Sequence, residues 1–108
     1  MKTDSELVEL AAKAAGMVLT YLPEQVGECA VYRNADGGET NWTPLTDDGD
    51  ALRLAVKLEM MVDTVNRVVA GYTSSITIEI GFDDLGNDPC AANRRAIVLA
   101  AAAEGEAV

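Results

Sequence analysis

The sequence predicts a small α+β domain, and three observations carry that expectation. Helix starts are written at three places: Thr3-Asp4-Ser5-Glu6, Thr46-Asp47-Asp48-Gly49-Asp50 and Asp88-Pro89. Ile76, Ile78, Ile80 and Phe82 alternate with Thr77, Glu79 and Gly81, the period of a strand with one dry and one wet face. The chain has 108 residues, 26 of them Leu, Ile, Val or Phe, which supports one hydrophobic core but not two.

The first helix is expected over residues 3–15. Thr3 and Glu6 make a capping box. Leu7, Leu10, Ala11, Ala14 and Ala15 recur at helical spacing as a narrow apolar stripe, and Gly16 stands where a helix ends in the left-handed conformation. Met17 to Leu22 reads as a short strand stopped by Pro23. Cys29 to Arg33 is a second strand, Asn34 to Gly38 has turn chemistry, and Glu39 to Trp42 returns as its hairpin partner.

Asp47, Asp48 and Asp50 sit at the start of the second helix, where the positive end of the helix dipole favours carboxylates. Its expected apolar face is Leu52, Ala55, Val56 and Leu58, with Asp50, Arg53 and Lys57 opposite. Between Leu58 and Tyr72 two readings stay open. The period of Leu58, Met61, Val62, Val65, Val68, Val69 and Tyr72 continues a helix, but the valines favour strand. After the alternating strand and an Asp83–Asn87 loop, Asp88 caps a third helix with Pro89 at its first position. That helix is expected over 89–103, ending near Gly105. Its alanines 92, 96, 100 and 103 would lie thinly on a sheet, with Arg94 and Arg95 facing water.

Charge and composition remove whole classes of chemistry. Eighteen acidic against eight basic side chains leave a net charge of −10. Such a chain repels a nucleic-acid backbone, so no direct nucleic-acid partner is expected. No run of about 18 apolar residues exists, so no membrane partner is expected either. There is no histidine. The commonest general base and metal ligand is therefore missing, and histidine-dependent nucleophile systems cannot be assembled from one chain. Cys29 and Cys90, 61 positions apart, fit no metal or redox spacing and are expected as buried thiols in a reducing compartment. Met1 to Glu6 is polar with no apolar core, so no signal peptide is expected and a cytoplasmic location is expected. Asp47, Asp48 and Asp50 could hold Mg²⁺ or Ca²⁺, but they lack the spacing of a calcium loop, and helix capping is the favoured role. No metal, cofactor or catalytic residue is assigned.

The blocks Trp42-Thr43-Pro44-Leu45-Thr46-Asp47-Asp48-Gly49-Asp50-Ala51-Leu52-Arg53-Leu54-Ala55-Val56-Lys57-Leu58, Thr3 to Gly16 and Asn87 to Val98 occur in an order that resembles the phage ABA sandwich domain family. These are small proteins of tailed phages and prophages. The resemblance implies a three-layer α/β/α sandwich with a mainly antiparallel sheet and three helices, 3–15, 48–58 and 89–103. It also implies that the second helix ends near Leu58, that Met60 to Tyr72 joins the sheet, and that Trp42 is a core residue. It brings no catalytic or ligand residues.

The function expected is therefore that of a non-enzymatic phage or prophage accessory protein. It would bind a host protein with a basic surface, in the manner of a counter-defence, anti-CRISPR-like inhibitor. The candidate acidic surface is Glu28, Asp36, Glu39, Asp47, Asp48, Asp50, Asp83 and Asp84. The competing expectation is a self-associating structural protein, a homodimer through the Ile76/Ile78/Ile80 strand or an open sheet edge, with no host target.

Overall fold

The computed structural model describes residues 3–17, 19–21, 30–33, 39–63, 68–72, 77–81 and 88–107. Helix α1 runs Asp4–Ala14, α2 runs Asp48–Lys57 and α3 runs Pro89–Ala107. The strands are β1 Leu19–Tyr21, β2 Ala30–Arg33, β3 Glu39–Trp42, β4 Met61–Asp63, β5 Val68–Tyr72 and β6 Thr77–Gly81.

The local chemistry of the helix ends explains their positions. Thr3 Oγ1 accepts from the Glu6 backbone N–H at 3.2 Å, and Glu6 Oε1 accepts from the Thr3 N–H at 3.1 Å, closing both halves of the capping box. At the far end Gly16 adopts φ 72°. Its N–H donates to the Lys13 carbonyl, and the Met17 N–H donates to the Ala12 carbonyl at 2.9 Å. This pair of bonds satisfies carbonyls that the last turn would leave bare. Helix α2 ends the same way without glycine. Glu59 takes φ 53°, its N–H reaches the Val56 carbonyl, and the Met60 N–H reaches the Ala55 carbonyl at 2.8 Å. The helix therefore stops at Lys57, and the helical period through Tyr72 is not followed: β4 and β5 occupy 61–63 and 68–72. Asp88 caps α3, its Oδ1 accepting from the N–H groups of Cys90 and Ala91 at 3.0 and 3.1 Å.

The core is built by helices. Leu7, Val8, Ala11, Ala12 and Ala15 of the α1 region, Ala51, Leu54 and Ala55 of α2, and Ile97, Val98, Ala101 and Ala102 of α3 close on Trp42. Helix α3 makes its most extensive contact with α1 and also packs on α2, β5 and β6. Its last turns come very close to α1: a Cβ added at Gly105 would land on the Leu10 carbonyl oxygen. Gly105 is thus a packing position inside the helix, and α3 continues four residues past the expected end at 103.

The expected three-layer α/β/α sandwich, with a mainly antiparallel sheet, is not what forms. Where side chains are described the chain is mostly helical (68%), with three helices. The strand residues there are isolated ones bordering the helices: Leu19, Asn41, Trp42, Met61 and Val62. Backbone pairing of the strands is local. It makes two separate antiparallel ladders, β1-β2-β3 and β4-β5-β6. Leu19 pairs with Tyr32 and Ala30 with Trp42 in the first, and Met61 with Tyr72 and Val69 with Ile80 in the second. Among the described residues no single sheet joins them between helical layers. The physical reason lies in α3. Its alanines let it approach α1 closely while it also packs on β5 and β6, so the helices pack directly on one another and are not held apart by a single central sheet.

Two faces are also corrected. The α1 stripe is wider than expected, because Val8 and Ala12 are buried with Leu7 and Ala11. On α2 the buried side is Asp50, Ala51, Leu54 and Ala55. Leu52 and Val56, expected inside, are 63% and 69% exposed. The proposed hairpin turn 34–38 and the loop 83–87 fall outside the described residues.

Candidate functional site

Of the eight acidic residues expected to form a binding surface, Glu28, Asp36, Asp83 and Asp84 lie outside the described residues. Glu39 opens β3, opposite Arg33 in the β2–β3 register. The other three come together at the start of α2, and each has a structural task.

Asp47 is the N-cap, its Oδ2 accepting from the Asp50 N–H at 2.8 Å. Asp48 meets Arg94 Nη1 at 2.6 Å, while Arg94 Nε donates to the Leu45 carbonyl at 2.9 Å. This one guanidinium therefore ties α3 to both α2 and the loop before it. Asp50 is 8% exposed, so it is no part of an open surface. Its Oδ2 accepts from the Thr43 backbone N–H at 2.9 Å, and its Oδ1 accepts from Arg53 Nη2 at 2.7 Å. With both oxygens engaged the carboxylate can lie inside, and it fastens the Trp42-Thr43-Pro44 segment to the first turn of the helix. Thr46 and Asp47 N–H groups both reach the Thr43 carbonyl, which tightens the same loop.

Arg94 and Arg95 do not simply face water. Their side chains are 17% and 29% exposed, and Arg95 Nη1 meets Asp4 Oδ1 at 3.0 Å, linking α3 to the start of α1. Cys90, expected buried, is exposed and has a free thiol. Cys29 lies outside the described residues. Trp42 is buried, in the core position that the resemblance implied. Among the described residues no group of three His, Cys, Asp or Glu side chains is placed to hold a metal ion. No described helix is long and apolar enough to cross a membrane.

What the sequence reading missed is the outer face of α2. Asp48, Leu52 and Val56 follow one another at i, i+4 and i+8, so they form one stripe along the helix. Past the helix end come Glu59, exposed, and Met61, 67% exposed. Beside Leu52, between α2 and α3, opens a cleft of about 260 Å³, lined by Ala51, Leu52, Val62 and Ile97 together with Cys90, Asn93 and the paired Asp48 and Arg94. Asn93 Oδ1 itself is buried, with no hydrogen-bond partner among the described residues. No local signal in the sequence announces this face, because it is the burial of Asp50 that rotates the apolar stripe and turns Leu52 and Val56 outward.

Comparison with known proteins finds no matching family model, no matching curated protein and no matching solved structure.

Proposed function

We propose that this chain is a non-enzymatic binding protein that occupies a basic surface on another protein. In a phage or prophage setting, it would be an accessory factor acting on a host macromolecule in the host cytoplasm, of the counter-defence kind. The observation that carries the reading is the surplus of ten negative charges in a chain with no histidine. Such a field speeds encounter with positively charged partners and disfavours nucleic acid. Supporting it, Asp47 and Asp48 keep 53% and 70% of their side-chain surface in solvent despite their ion pairs. The phage setting rests on the three sequence blocks that resemble the phage family.

The test is affinity capture from bacterial lysate at low and at high salt. The reading expects one defined basic protein to be retained at low salt and released as salt rises, because exposed charges are screened over about 8 Å at physiological ionic strength. Retention that is indifferent to salt, or no retained basic protein, contradicts it.

A further inference from the structure

We draw no further inference here: the strongest candidate, the exposed apolar stripe of Leu52 and Val56 on α2 beside the α2–α3 cleft, is bordered by charges that nearly cancel, Asp48 being paired with Arg94 and Lys57 standing exposed next to Val56, and nothing in the structure shows what covers it.

Discussion

Asp50 shows how one buried carboxylate can decide the setting of a helix. Its two oxygens hold Thr43 N–H and Arg53, one partner inside and one largely in water. Removing it leaves the Thr43 donor without its acceptor, and a lost charged hydrogen bond costs about 1.5–3 kcal/mol. Asp50→Ala is therefore expected to lower stability by about 2–3 kcal/mol, seen as a drop in Tm of roughly 10 °C or more. Asp50→Asn keeps an acceptor for Thr43 and should cost about half as much. Glu59 makes the opposite case. A side chain in the left-handed region carries about 1 kcal/mol of strain, which glycine relieves at some cost in unfolded-chain entropy. Glu59→Gly should stabilise by about 0.5 kcal/mol, whereas Gly16→Ala, at φ 72°, should destabilise by about 1 kcal/mol in the same urea titration.

At the scale of the element, the helix boundaries were legible because caps are local chemistry. Thr3, Gly16, Asp47 and Asp88 act within a turn of themselves, so spacing alone locates them. The stop after Lys57 was less legible, since Glu59 is not a residue that announces a left-handed turn. The buried face of α2 was misread because polarity was taken as exposure. Nothing local reveals that Thr43, seven positions away, would supply Asp50 with an internal donor. Gly105 was read as a terminator, but it serves the crossing of α1 and α3. That crossing yields a prediction in which two effects oppose. Helix propensity alone says Gly105→Ala should stabilise by about 1 kcal/mol. Packing says the new methyl meets the Leu10 carbonyl, a backbone atom that cannot swing away, at a cost of about 1–3 kcal/mol. Packing is expected to win, so thermal unfolding of Gly105→Ala should show a lowered Tm. A raised Tm would mean the helices are not in close contact there.

For the whole molecule, composition revealed charge and excluded histidine chemistry, and the residue pattern placed β1, β2, β3 and β6 within two residues of their observed ends, whereas Met60 to Tyr72, taken as one stretch, divides into β4 and β5. The layering was not legible. A strand's period tells which of its faces is dry but not which strands pair, and an alanine-rich helix has no strong face to say what it packs on. The chain's −10 charge has a consequence of its own. Self-repulsion in the folded state should be relieved by salt, so moving from very low to physiological ionic strength is expected to raise Tm by a few degrees. A fall in Tm over that range would indicate that the ion pairs of Arg94 and Arg95 outweigh the repulsion. The most direct trial of the central claim is the dissociation constant of the captured basic partner measured across a salt series. Electrostatic docking requires affinity to weaken steadily as ionic strength rises, by about tenfold or more between low and physiological salt; a flat response would contradict it.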